Sequence, residues 1–255
     1  MGKSIVLLHG FGGTRRAWDG VQERLRAERY TPLALDLPGH GLRADDERPI
    51  TFAGCAEYVL ERAPDRFVLC GYSMGGRVAL HVALAAPGRV RALVLVATTA
   101  GIEDPAERAR RRAADERLAE ELLSAPLESF IERWRGQRLF AGEPPQVGAL
   151  AREDHRRNRP EALARVLRGI GTGQMEPLWD RLGELRMPVT VLVGERDEKF
   201  RAIGRRMAEQ LPRAGLEVLP GAHNLALESP SALAQALLRV LKGLEGLDAE
   251  PGPSR

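Results

Sequence analysis

Cysteine is almost missing from this 255-residue chain. Cys55 and Cys70 stand alone, without metal-ligand spacing and without partners for a disulfide framework, so both are expected to be reduced, structural thiols. Lysine is scarce too, at three (Lys3, Lys199, Lys242) against 35 arginines. Aromatic residues make up only 5% of the chain, which argues against nucleic acid as a partner: a basic stripe would need stacking residues between its charges. Long hydrophobic runs are lacking as well. The run after Lys3 stops at His9, too soon for a signal-peptide core or a membrane span, and Val6 stands where a myristoylation signal needs Ser or Thr. A cytoplasmic protein without a membrane span is therefore expected.

What is present is an ordinary globular balance, 44% apolar and 29% charged residues with a net charge of +3. That length can bury a substantial core as one domain with an insertion. Coding bias explains much of the arginine excess, yet a planar guanidinium also grips carboxylates in bidentate fashion.

The stretch around which the chain is organised is VLCGYSMGGRVAL, residues 68–80. An apolar run from Phe67 to Cys70 meets Gly71, passes Tyr72, Ser73, Met74 and Gly75, and continues with helical spacing from Arg77. Strand, sharp turn and helix with a serine at the apex is the context in which Gly-x-Ser-x-Gly exposes a nucleophilic hydroxyl. A second turn, His9 to Gly13, follows the strand predicted over Ser4–Leu8. It lacks the third glycine of a dinucleotide fingerprint, and no cofactor or metal is expected. Beside a nucleophile, such a turn can offer a backbone N–H, here that of Phe11, to pair with the N–H of Met74 as an oxyanion hole.

Further strands are predicted over Leu33–Leu37, Ala92–Val96, Val189–Val193 and Leu216–Leu219, alternating with helical stretches. This pattern calls for a mostly parallel, doubly wound α/β sheet of about six strands. Between residues 99 and 185 it changes to helices separated by Pro and Gly, placed as a lid over the carboxyl edge. Residues 1–98 and 186–243 then form the core, and the polar residues 244–255 a disordered tail. Ser73, Asp197 and His223 each follow a predicted strand, in the chain order nucleophile, acid, histidine. Asp180, Glu195 and Glu228 are competing carboxylates, and Glu195 is too near Asp197 to exclude on sequence.

The runs GYSMGGRVAL, ERARRRAAD, FIERW, LRGIGTGQMEPLW, VGERDEKF and HNLALESP together resemble the MenH family, the 2-succinyl-6-hydroxy-2,4-cyclohexadiene-1-carboxylate synthases of menaquinone biosynthesis. The likeness covers nearly the whole chain, including the helical insertion. It implies an α/β-hydrolase fold and a lyase that expels pyruvate from a small tricarboxylate substrate, with Ser73 acting as a base. It also implies substrate-binding roles for Tyr72, Arg77, Arg111, Trp134 and Phe200, and for a further arginine contact that falls at His155 or Arg156. Arg77, four residues after Ser73, is expected to face the same cleft. Two departures stand out: the family's usual extra pair of strands is not seen before Ser4, leaving a bare sheet edge, and Ala222 replaces a Gly commonly found before the histidine. A monomer is expected. The alternatives from the same residues are a carboxylesterase with Ser73 as nucleophile, and a small-molecule receptor on a hydrolase scaffold.

Overall fold

The computed structural model describes residues 4–249. Six strands form one sheet in the order β2-β1-β3-β4-β5-β6: β1 Ser4–Leu8, β2 Thr31–Leu35, β3 Phe67–Tyr72, β4 Val90–Val96, β5 Val189–Gly194 and β6 Ala214–Leu219. Every pairing is parallel. β1 and β3 are buried almost end to end, as continuous apolar runs should be when helices cover both faces. On one face α2 (Phe52–Arg62), α3 (Met74–Ala85) and α8 (Glu198–Gln210) pack on Val6, Leu69 and Val191. On the other, α1 (Asp19–Ala27) and α10 (Pro230–Ala249) pack on Leu7, Val68 and Val94.

Strand order determines where the site lies. The chain leaves β1 toward β2 on one side and returns to β3 on the other, so the turns after β1 and β3 part above the sheet. The first of those turns carries Phe11 and the second carries Ser73. Between β4 and β5 the chain forms α4 (Pro105–Ser124), α5 (Leu127–Arg135), α6 (Pro145–His155) and α7 (Pro160–Ile170). These helices own a small core of Ala119, Leu122, Phe130, Leu163, Ala164 and Leu167, against which Phe11 and Trp134 are packed. A one-turn helix, α9 (Leu225–Glu228), follows His223.

The tail expectation is corrected in part, since α10 runs on to Ala249. Leu237, Leu241 and Leu244 are all buried, so the apolar stripe continues past the point where composition alone turns polar. Residues 250–255 lie outside the described residues. Both cysteines are free and buried, and burial pushes the Cys55 thiol up to about 12.

Gly75 sits where α3 passes beneath the end of β1: a Cβ there would lie 2.4 Å from the Leu8 carbonyl oxygen. Backbone cannot yield as a flexible side chain can. Gly75→Ala is expected to lower stability by about 3 kcal/mol or to abolish folding, read as the urea midpoint and the yield of folded protein.

Candidate active site

Ser73 has φ 51° and ψ −111°, a conformation that few non-glycine residues adopt. Its N–H donates to the Val96 carbonyl (2.9 Å) and its carbonyl accepts from Thr98 Oγ1 (2.7 Å), which pins the turn on both sides. Its Oγ lies 3.3 Å from His223 Nε2, and His223 Nδ1 lies 2.7 Å from Asp197 Oδ2. Asp197 is held in turn, because it caps α8: Oδ1 accepts from the Phe200 N–H at 3.1 Å. The strand-end serine, aspartate and histidine named from chain order are thus brought together.

The competing carboxylates do other work. Glu228 accepts from the Ala222 N–H (2.8 Å) and pairs with Arg196, bracing the histidine loop. Glu195 pairs with Arg196 at 3.6 Å, and Asp180 lies exposed in the turn before β5. Burial holds the His223 imidazole below its ordinary 6.5 despite the opposing pull of Asp197. A base must be neutral to take a proton, so this direction favours one.

Phe11 and Met74 flank the serine. Among the described residues, neither backbone N–H donates a hydrogen bond within the protein. Two free N–H groups beside an activated hydroxyl are what an oxyanion hole requires. The cavity at Ser73 measures about 50 Å³ and is lined by Phe11, Tyr72, Trp134, Arg135, Phe140, His155 and His223, among others.

The other expected contacts divide. Tyr72 and Trp134 line the cavity, and the Trp134 ring packs edge-on against Phe11 with centroids 4.8 Å apart. Phe200 does not line it; its ring backs the imidazole at 4.6 Å and holds it in place. Arg77 does not line it either, since its guanidinium donates to Thr172 Oγ1 and the Ile170 carbonyl in the turn after α7. It is 7% exposed, forms no ion pair among the described residues, and burial pushes it down to about 9. Arg111 stands nearby but is paired with Asp115 at 2.8 Å. Asp115 also accepts from the Gly173 N–H, and Gly173 presses so tightly on α4 that a Cβ would meet the Arg112 nitrogen at 2.3 Å.

Arg156 is corrected: it is exposed and forked onto Glu128, pointing away from the site, and His155 is the residue at the cavity. Successive residues lie about 100° apart around a helix, so only one of these two neighbours can face the core. Arg135, unflagged by any local pattern, also lines the cavity, paired in the interior with Glu143 and lying 3.9 Å over the Phe140 ring. Thr14, Asp154 and Asn158 bind the turn after β1 to α6, a long-range connection with no signature in the sequence.

A parallel sheet with a serine elbow, a capping aspartate and a strand-end histidine defines a class. The chain belongs to the α/β-hydrolase family, whose model matches residues 5–236. Within that class its relatives are specific. A Salmonella agona protein named 2-succinyl-6-hydroxy-2,4-cyclohexadiene-1-carboxylate synthase is 33% identical over 247 residues, covering 94% of each chain. A Bacillus subtilis protein provisionally given the same name is 34% identical over 89% of this chain and 86% of its own. The structure of MenH from S. aureus superposes with a TM-score of 0.90 at 31% identity, covering 96% of this chain and 95% of that one. By these criteria the chain falls in the MenH family.

Because His223 titrates below 6.5, Ser73 reactivity should persist as pH falls through 6.5 and drop only below it. Asp197→Asn removes the carboxylate that raises the imidazole, so the residual acid limb should move lower still. The rate of Ser73 labelling by a fluorophosphonate, followed from pH 4 to 9, checks both directions; an acid limb above 6.5 would contradict them.

Proposed function

We propose that the chain is a 2-succinyl-6-hydroxy-2,4-cyclohexadiene-1-carboxylate synthase, a cytoplasmic lyase acting on the enolpyruvyl precursor. The observation that carries this reading beyond the fold is the buried charge one helical turn from Ser73. Arg77 is buried without an ion pair among the described residues, and the neighbouring Arg111, partly exposed, is already paired with Asp115. A buried cation without a counter-ion is costly, and a carboxylate-bearing substrate would supply one if Arg77 exchanged its contacts with Thr172 and the Ile170 carbonyl for it. An ester of a neutral acid would not.

In this mechanism His223 Nε2 takes the Ser73 proton as the serine oxygen removes one from the substrate ring. Electrons flow onto the succinyl carbonyl oxygen, which the Phe11 and Met74 N–H groups hold. They return as the ring carbon–oxygen bond to the enolpyruvyl group breaks, and the departing enolate takes up a proton to become pyruvate. No water is added. The base must lie in reach of a carbon-bound proton and away from solvent, and the helices α4 to α7 supply that cover as a lid over the carboxyl edge.

Pyruvate release from the enolpyruvyl substrate, coupled to lactate dehydrogenase, tests the reading. Ser73→Ala should lose about 10³-fold or more in kcat. Arg77→Met should lose about 10- to 100-fold in kcat/KM, the worth of one charge-assisted contact. Hydrolysis of p-nitrophenyl acetate far exceeding pyruvate release would instead favour the esterase reading.

A further inference from the structure

Among the described residues, Arg135 at the end of α5 is the only arginine or lysine in the wall of the catalytic cavity. Its side chain is 3% exposed, and one face of the guanidinium lies 3.9 Å over the Phe140 ring. That ring stands edge-on to the His223 imidazole, with centroids 6.1 Å apart. Covered on that face, the guanidinium is open to partners in its own plane, where its five N–H donors point. Burial pushes it down to about 10, so it keeps its proton at neutral pH. Its charge reaches Tyr72, His155 and His223, all in the same wall, although burial is the larger influence on each.

Glu143 uses little of what Arg135 offers. The two meet through Nη2 and Oε2 alone, although Nε and Nη2 lie side by side and one carboxylate can take both. Arg135 Nε and Glu143 Oε1 are each buried and without a partner among the described residues. Nη1 has no partner there either, and it is not sealed from open space. A pair built only to hold α5 against the loop before α6 would close that fork, since an unmade hydrogen bond in the interior is a cost, and an apolar contact of similar volume would hold as well. Nor does the wall offer a second anion to use the free donors. Asp154, its one carboxylate among the described residues, already accepts twice from Thr14.

We propose that Arg135 is a substrate-binding residue of this cavity: it receives a carboxylate of the substrate on the donors that Glu143 leaves free, while Glu143 sets the plane of the guanidinium and partly cancels its charge. The proposal rests on the lyase reading for which acid is bound, and on the geometry for where its carboxylate goes. Arg77 lies outside the lining and Arg111 is paired with Asp115, so Arg135 is the cation that a carboxylate meets in the cavity itself. The chemistry of the guest follows. A flat anion arriving in the plane of the guanidinium is selected over an amide of the same shape, which brings no charge to meet it.

The test uses Arg135→Met, Arg135→Lys and Glu143→Gln in the full chain, with pyruvate release for KM and kcat and the urea midpoint for stability. Arg135→Met should raise KM by about 10- to 100-fold with kcat changed less than about threefold, the pattern of binding lost equally from ground and transition states. Glu143→Gln removes the internal negative charge but keeps an amide oxygen for the guanidinium, so KM should fall by about two- to fivefold even as the urea midpoint drops. A structural ion pair would lower the midpoint in both variants and leave KM within about twofold of the parent, and that result overturns the proposal. So does a KM that rises on Glu143→Gln. Should Arg135→Met fail to fold, Arg135→Lys, which keeps the charge and loses the planar fork, is expected to raise KM by about three- to tenfold, and an unchanged KM there is equally fatal. Succinate separates this proposal from the lyase reading: it should protect Ser73 of the parent from a fluorophosphonate, about tenfold more should be needed in Arg135→Met, and uncharged succinamide should protect neither. If the parent releases no pyruvate, the lyase reading fails while succinate protection still decides the role of Arg135; a parent that succinate does not protect overturns it.

Discussion

Ser73 is the point of strain on which everything else in the site depends. Its left-handed backbone costs on the order of 1–3 kcal/mol, and the surroundings leave the turn no easier path: its N–H is bound to β4, its carbonyl to Thr98, and the helix that follows is pressed against the end of β1. That geometry stands the hydroxyl clear of the backbone and leaves the Met74 N–H free. It also fixes where a histidine must come from. The loop after β6 brings His223 to the serine across the carboxyl edge, and Asp197 after β5 is placed to orient it. A relaxed turn at residue 73 would dissolve the reason for each of these placements.

The electrostatics follow a second logic, in which the protein arranges neutral bases and cations in the dry interior. His223 and His155 are both held neutral by burial, the latter down to about 4. Arg135 lines the cavity and is paired with Glu143, Arg111 on α4 is paired with Asp115, and Arg77 lies buried on α3 against Thr172 and the Ile170 carbonyl. An anionic guest would meet preformed donors and a base that has not been protonated by its own surroundings. The arrangement suits proton abstraction next to a carbonyl better than attack on a neutral ester, for which buried cations bring desolvation cost without return.

Much of this was legible in the sequence, for a physical reason. Strand runs, the glycine-flanked serine and the strand-end positions of Asp197 and His223 are local patterns, and each followed from a few neighbouring residues. The Phe11 turn was legible because glycine spacing states where backbone must bend. What escaped was determined by packing between distant segments. His155 is the last residue of α6 and Arg156 the one that caps it, and which of them faces the site depends on the rotation of that helix over the core. Arg135 follows Trp134 with nothing to distinguish it from its exposed neighbour Arg133, and only the docking of Glu143 draws it inward. The tail was misjudged because residues 244–255 read as polar, whereas buried Leu241 and Leu244 anchor α10, which continues to Ala249.

These long-range contacts also bear on why a hydrolase scaffold should carry out an elimination. A serine poised beside an oxyanion hole attacks carbonyls when water can later release the acyl group, so a lyase has to keep water out while charge moves. Phe11 meets that requirement from two directions at once. Its ring packs on Trp134 and the small core of the helical segment, while its N–H is one of the two donors beside Ser73. The residue whose ring lines the cavity against the helical segment and the residue whose N–H is left without a partner among the described residues are the same one.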